Sequence, residues 1–422
     1  MTEEERQEKI ARARRRRTIR RLRWAGIIAL SLAAAAGAVF LLTRPQKATS
    51  ERSPSGASVR TQPEQTTPPE TEQTMPEDPK ERVPEASVRL VCLGDNLMHN
   101  TVMWAGKTSS GGYDYRPLYQ YIKPYIEAAD IAMINQETIF VNDPNKWTNY
   151  PSFGGPTQIG DALIDTGFDL ITHASNHCYD KYTEGMTDTI NYWRKHPEIT
   201  VLGIHDSQED ADTIRVIEKN GIRIAFLNYT YGTNVGLPPK SYMIDYLGDE
   251  EKIANDIARA KELSDIVIVF PHWGTENTYQ PDDFQRKWGQ FFADQGVGAV
   301  IGGHPHTLQP VELLTGRDGN ICPVYWSLGN FISHMSGNQN MLGGMAELTI
   351  SRDKYGVYIS DYALEPTMTY ARHDYYGARW YFYGMKLADY TDDMAAHHLI
   401  PHTSVEEMWA LYHRIIPEAE QE

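Results

Sequence analysis

The residues best suited to chemistry begin with two histidines one residue apart, His304 and His306, in the stretch Gly302-Gly303-His304-Pro305-His306. Imidazoles so placed are metal ligands or proton carriers. Similar residues recur upstream: Asp95 and Asn96 after Gly94, Glu137 after Gln136, Asn176 and His177 after Ser175, and His272 before Trp273. Singly, each has a structural explanation, since carboxylates cap helices and Asn-His pairs make turns. Together, two carboxylates, one Asn carbonyl and three imidazoles form a donor set for a pair of Mn, Zn or Fe ions. A lone Ca or Mg would take oxygens alone. The two oxygens of Glu137 suit a bridge. Ions roughly 3.5 to 4 Å apart can hold a phosphoryl group and activate a water, so phosphate ester hydrolysis is the expected chemistry.

Each of these groups follows an apolar run that must position it. Val297 to Ile301 reads as a strand buried on both faces, and the glycines behind it let the backbone leave the sheet. Further strands are expected at Val88 to Leu93, Ile131 to Asn135, Phe168 to Thr172, Ile222 to Asn228, Ile266 to Phe270, Val324 to Ser327, Met345 to Ile350 and Val357 to Tyr362. Helical spacing of apolar residues covers Tyr115 to Ala128, Ile159 to Thr166, Thr183 to Lys195, Asp249 to Leu263 and Asp282 to Gln295. The alternation predicts an α/β fold with a largely parallel centre, whose strands deliver their carboxyl ends to one rim of a sheet. Past Ser351 the chain turns rich in Tyr and Met and reads as a lid or flanking subdomain, with a last helix near Val405 to Ile415. His397, His398 and His402 fall in a loop-like stretch and are expected to be solvated.

Charge narrows the partners. The formal net charge is -16, yet residues 1 to 24 hold ten Arg and Lys against four Glu, leaving -22 for the remainder. So acidic a body does not suit nucleic acid. Behind the basic cluster, 24 to 42 runs without a charge, about 28 Å as a helix and close to the thickness of a bilayer core. No small-residue cleavage site follows its apolar stretch, so an uncleaved anchor is expected, with the N-terminus cytoplasmic and the rest outside. Residues 43 to 86, rich in Pro, Thr and Glu, read as a disordered stalk. Cys92, Cys178 and Cys322 are odd in number and widely spaced, which predicts no disulfide framework.

The ordered motifs GDNLMHN (94 to 100), NQE (135 to 137), SNHCYD (175 to 180), HWGTE (272 to 276), GGHPHTLQP (302 to 310) and SLGNF (327 to 331) resemble the CapA family. These bacterial proteins are associated with capsule and poly-γ-glutamate synthesis, and their domain is similar to the calcineurin-like metallophosphatases. The resemblance implies an α/β sandwich, central sheets flanked by helices, over residues 87 to 351, with 352 to 422 as an extension packed on it. It further implies that Asp95 and His306 hold one ion, that Asn176, His272 and His304 hold the other, and that Glu137 bridges. His177 matches the general acid. Asn96, His99, Trp273, Glu276 and Asn330 become supporting or pocket-lining residues. Position 97 is Leu where metallophosphatases carry His, and His99 is the nearby substitute. Ser175 stands where many relatives have Asn.

The expectation is thus a single-pass, membrane-anchored extracellular metallohydrolase with two divalent ions, acting on a precursor of the cell envelope beside other capsule-synthesis membrane proteins. The alternative is a non-catalytic accessory for polymer assembly, export or anchoring.

Overall fold

In strand β1 (Ala86–Asn96), Leu90 and Cys92 face one way and Val91 and Leu93 the other, and all four are fully buried. The computed structural model describes residues 84–376, 378–399 and 403–417. The basic tail, the proposed anchor at 24–42, the linker up to residue 83 and His402 lie outside the described residues. Among the described residues no helix is long and apolar enough to cross a membrane.

The remaining strands are β2 (Ile131–Asn135), β3 (Leu170–Thr172), β4 (Thr200–Leu202), β5 (Arg215–Lys219), β6 (Ile222–Thr230), β7 (Ile266–His272), β8 (Ala299–Ile301), β9 (Val311–Thr315), β10 (Ile321–Tyr325), β11 (Asn330–Ile332), β12 (Leu342–Asp353), β13 (Gly356–Asp374) and β14 (Arg379–Lys386). They form two mixed sheets. The first runs β14-β13-β12-β1-β2-β3-β4, with β11 also paired to β1, and the second runs β5-β6-β7-β8-β10-β9. β1 to β4 are parallel to one another, as are β6, β7, β8 and β10.

The sheets meet through Leu90, Cys92 and Met133 on one side and Phe226, Ile268, Phe270 and Ile301 on the other. Their outer faces are covered by helices. Val91, Leu93 and Ile134 pack with Ile159 and Leu163 of helix Gln158–Thr166. Val267, Val269 and Val300 pack with Ile253 and Ile257 of helix Glu250–Leu263 and with Trp288 and Phe292 of helix Asp283–Asp294. Strands buried on both faces explain the unbroken apolar runs, each such side chain contributing about 1.5–3 kcal/mol on burial. The result is an α/β sandwich. Asp282 closes a capping box with Gln285, which fixes where the helix before β8 begins.

Three expectations need correction. The parallel strands are split between two sheets, so the carboxyl ends meet across a sandwich rather than along one rim. The helix expected at Tyr115 to Ala128 is a 3-10 turn at Arg116–Tyr119 and a short helix at Lys123–Glu127, since Pro117 and Pro124 each remove a helical N–H and restart the winding. Finally, residues past Ser351 form no separate lid. β12 crosses that boundary, and β13 and β14 continue the first sheet antiparallel. Their Tyr and Met residues, Met368, Tyr370 and Met385, pack with Met408, Leu411 and Ile415 of helix Val405–Ile415. His397 ends a short helix and is exposed, whereas His398 is partly buried and its Nδ1 lies 2.9 Å from the Tyr390 hydroxyl.

Candidate metal centre

The carboxyl ends of β1, β2 and β3 face those of β7 and β8 across the sandwich, and the first tie between them is Asp95. Its Oδ1 accepts from Asn135 Nδ2 (2.7 Å), at the end of β2, and its Oδ2 accepts from the backbone N–H of His304 (3.1 Å), just past β8. The His306 ring lies beside it, with Nδ1 3.5 Å from Asp95 Oδ2, 3.9 Å from Glu137 Oε2 and 3.0 Å from Asn330 Oδ1. On the far side, His272 Nε2 is 3.6 Å from Glu137 Oε1 and 2.8 Å from Asn176 Oδ1. Ligand atoms of Glu137, His304 and His306 all fall within 4.8 Å of one another. The structure therefore brings Asp95, Glu137, Asn176, His272, His304 and His306 around one point, three from each sheet, with Glu137 in the middle.

These side chains are all buried, which sets their protonation. Burial, with lesser repulsion from neighbouring imidazoles, holds His272 and His304 well below the usual histidine range, so both are neutral, the form that ligates a metal. Burial also raises the Glu137 carboxyl well above its ordinary range, an effect His306 opposes and Asp95 reinforces. For His306, burial pulls downward, but Glu137 and Asp95 outweigh it and push the ring up to about 9. Both oxygens of Glu137 and Nδ1 of His304 are buried without a hydrogen-bond partner among the described residues. A buried polar atom left unpaired costs about 1–3 kcal/mol, and a carboxylate more. A divalent cation satisfies such a set, so the residues present fit the metal that the chemistry of the donors implies.

The turn after β8 needs unusual backbone. His304 and His306 have φ of 97° and 57°, conformations that cost a non-glycine residue about 1–3 kcal/mol. Tight stitching holds them there: Gly303 N–H donates to Pro271 O (3.1 Å) and Trp273 N–H to Gly303 O (3.1 Å). At Gly302 a Cβ would sit 2.3 Å from Trp326 O and 2.4 Å from Trp273 Nε1. Gly302→Ala is therefore expected to destabilise the protein by about 1–3 kcal/mol through overpacking, measured by denaturant unfolding. An unchanged midpoint would show that β8 has room to shift.

His177 sits at the rim. Its Nδ1 is 2.6 Å from Asp180 Oδ2, which also accepts from the Phe153 N–H (2.7 Å). The Phe153 ring meets the imidazole edge-on, with centroids 4.7 Å apart. Asn234 Nδ2 lies 3.3 and 3.4 Å from the two ring nitrogens, a placement over the ring face. Tyr231, in the same loop after β6, packs against His304 with ring centroids 4.6 Å apart and planes tilted by 50°, and is 39% exposed, walling the solvent side.

Sequence reasoning missed Asp180, Asn135, Tyr231, Asn234 and Asn340, whose Nδ2 donates to His306 O (3.0 Å). Asp180 carried a signal, since it stands three residues after His177 in a turn. Tyr231 and Asn234 carried none, because only the second sheet's position brings their loop over the site.

Of the expected supporting residues, Asn330 holds His306. Glu276 is exposed, yet close enough for its charge to raise the Glu137 carboxyl. Three others are placed differently. Asn96 turns into the core, donating to Gln136 Oε1 (2.6 Å) and accepting from Tyr119 (3.0 Å). Trp273 is fully buried, its Nε1–H donating to Trp326 O (2.9 Å), so it packs rather than lines the pocket. His99 does not replace the missing histidine. Its Nδ1 accepts from the His334 N–H (3.1 Å), and its ring lies edge-on to Phe153, which also abuts His177. Leu97 is buried. The thiols of Cys178 and Cys322 are buried and pushed up to about 12, which leaves them inert.

A family model described as "Bacterial capsule synthesis protein PGA_cap" matches residues 89–335. The PGA biosynthesis protein CapA of Bacillus subtilis (strain 168) is 30% identical over 223 residues, covering 51% of this chain and 56% of that protein. The capsule biosynthesis protein CapA of Bacillus anthracis is 26% identical over 230 residues, covering 52% and 54%. The chain thus matches little more than half the length of either relative. Among solved structures, the calcineurin-like phosphoesterase YfkN from Bacillus subtilis aligns with a TM-score of 0.39 and 14% identity over 67% of this chain and 91% of that one.

Proposed function

The chain belongs to the PGA_cap family of bacterial capsule synthesis proteins, and from that premise we propose a metal-dependent hydrolase that cleaves a phosphoester in a precursor of the capsule or of poly-γ-glutamate. The observation that carries this reading is Glu137: a buried carboxylate with both oxygens unpartnered, surrounded by five further donors. Asp95 and His306 would hold one ion and Asn176, His272 and His304 the other, with Glu137 between. Bound there, two such ions would polarise a phosphoryl group and make a water easier to deprotonate for attack.

The protein's own part is positioning and proton delivery. Asn135 and the His304 N–H fix Asp95, and Asn330 and Asn340 fix His306. His177 commits its Nδ1 proton to Asp180, which leaves Nε2 to protonate the departing oxygen. The uncharged run at 24–42 behind ten basic residues supports anchoring in the cell membrane with the C-terminal domain outside, among other capsule-synthesis membrane proteins.

The second reading, a non-catalytic accessory in polymer assembly, export or anchoring, is favoured by Leu97 and by the engagement of His99 elsewhere. Metal and turnover separate the two. The manganese-loaded full chain is expected to hold about two ions by elemental analysis and to hydrolyse phosphomonoesters or diesters, with His272→Ala losing both metal and turnover. Metal retained with no turnover on either ester class would leave the accessory reading standing.

A further inference from the structure

Resting on the anchoring reading, we propose that the tip of the β13–β14 hairpin docks onto the anionic phospholipid surface that carries the chain's own anchor. β13 pairs with β12 as far as Met368, and its last residues, Thr369 to Asp374, run on with β14 alone. The turn that follows leaves Tyr375 77% exposed and Tyr376 fully so. His373 packs between Tyr375 and Trp380, with ring centroids 4.6 and 4.5 Å away, which braces the tip. A tyrosine joins an apolar ring to a hydroxyl that hydrogen-bonds, the combination that settles between acyl chains and headgroups.

Charge selects an anionic surface. Just behind the turn, the guanidinium groups of Arg372 and Arg379 lie 4.6 and 5.2 Å from the Tyr381 ring, and Lys107 shares a cleft with Arg379 and Tyr381. None of the three cations forms an ion pair among the described residues. The carboxylate in that cleft, Asp114, is held by Arg116 at 2.8 and 2.9 Å, and Asp374, opposite Arg379 in register, accepts from the Tyr376 N–H (3.0 Å). In a chain of net charge -16, unpaired cations beside exposed aromatic rings are where negative headgroups are attracted rather than repelled. The edge of β14 behind the tip is covered by helix Asn100–Ala105 and the turn Arg116–Tyr119, so the contact is made by side chains and not by an added strand.

Direction and reach agree with this. β12 is antiparallel to β1 and β13 antiparallel to β12, so β13 runs the way β1 does. Its tip therefore lies at the end of the sheet where β1, β2 and β3 lead to Asp95, Glu137 and Asn176, and docking turns that end toward the bilayer. The chain enters the sheet at the other end, near Ala86. β13 has 19 residues, at most about 65 Å, whereas residues 43 to 83 can span up to about 140 Å. The tether is long enough for the tip to face the bilayer.

The test places the fluorophore NBD on Tyr376→Cys of the full chain, the native Cys92, Cys178 and Cys322 being buried, and reconstitutes it in vesicles of phosphatidylcholine alone or mixed with phosphatidylglycerol. With phosphatidylglycerol the label is expected to shift to the blue and to be quenched by lipids spin-labelled near the headgroup. Adding Arg372→Glu/Arg379→Glu should lower the ratio of docked to undocked tip about tenfold or more. A label on Lys219→Cys should stay in water throughout, since the adjacent Asn220 donates to Ser87 O (2.8 Å) at the opposite end of the sheet. Unfolding temperatures check that all variants fold. The proposal is overturned if the label at 376 stays unquenched with phosphatidylglycerol, if it responds equally on phosphatidylcholine alone or in the folded Arg variant, or if it shifts as far in lipid-free detergent, where only a second copy could cover it. Co-flotation with phosphatidylcholine vesicles scores the anchor by itself, so the anchoring reading and the docking of the tip fail separately.

Discussion

His177→Ala in the manganese-loaded protein is expected to slow hydrolysis of an alkyl phosphomonoester by about 10²–10⁴-fold, the usual loss when a positioned general acid is removed. The same variant should slow p-nitrophenyl phosphate far less, because nitrophenolate departs without a proton. Metal content should not change, since His177 lies outside the group of donors around Glu137. Asp180→Asn probes the level behind it. The carboxylate orients the ring and holds the Nδ1 proton at 2.6 Å, so an amide there can present the wrong group to Nδ1 and leave Nε2 in the wrong tautomer. Asp180 is thus a positioning residue, and its variant should reproduce the leaving-group dependence of His177→Ala in weaker form. Equal losses on both substrates would mean that the pair only holds the 148–153 loop in place, through Asp180 and the Phe153 N–H.

The donors were legible in the sequence because each sits at the end of a strand whose burial on both faces shows as an unbroken apolar run. Ile131 to Asn135 and the turn at 302 to 306 are of this kind, and so the inventory from Asp95 to His306 could be read from the chain. What could not be read is which sheet each strand joins. β1 and β8 both carry short apolar runs, and nothing local tells that they face one another. The cross-sheet bond from the His304 N–H to Asp95 is therefore a tertiary fact. Short strands such as β4 and β11, three residues each, fall below any periodic signal. In the C-terminal part the long β13–β14 hairpin was concealed by aromatic residues that suit a flank as well as a sheet. His99 and Trp273 misled for the opposite reason: they lie near the clustered donor residues in sequence, but their side chains point into packed surroundings.

Glu137→Gln should remove most of the effect of metal on stability. In the metal-free protein, burial raises the Glu137 carboxyl, so folding favours its protonated form. That contribution is complete below the ordinary carboxylate range and is lost as pH rises through the raised value. His306, pushed up to about 9 by Glu137 and Asp95 against its burial, acts in the same direction at higher pH, its contribution lost as pH climbs through about 9. Metal-free wild type is therefore expected to lose stability between pH 5 and pH 8 by thermal unfolding, while Glu137→Gln, with no carboxyl to ionise, should lose less. Manganese reverses the order. At a free concentration 100 times its dissociation constant, a bound ion would stabilise wild type by about 2.7 kcal/mol, and the amide variant should gain little, having one neutral oxygen in place of the Glu137 carboxylate. The comparison needs no turnover, so it reads the centre independently of any substrate. Should wild type and Glu137→Gln rise equally with manganese, the ion would be bound elsewhere, and the unpaired oxygens of Glu137 would need another partner.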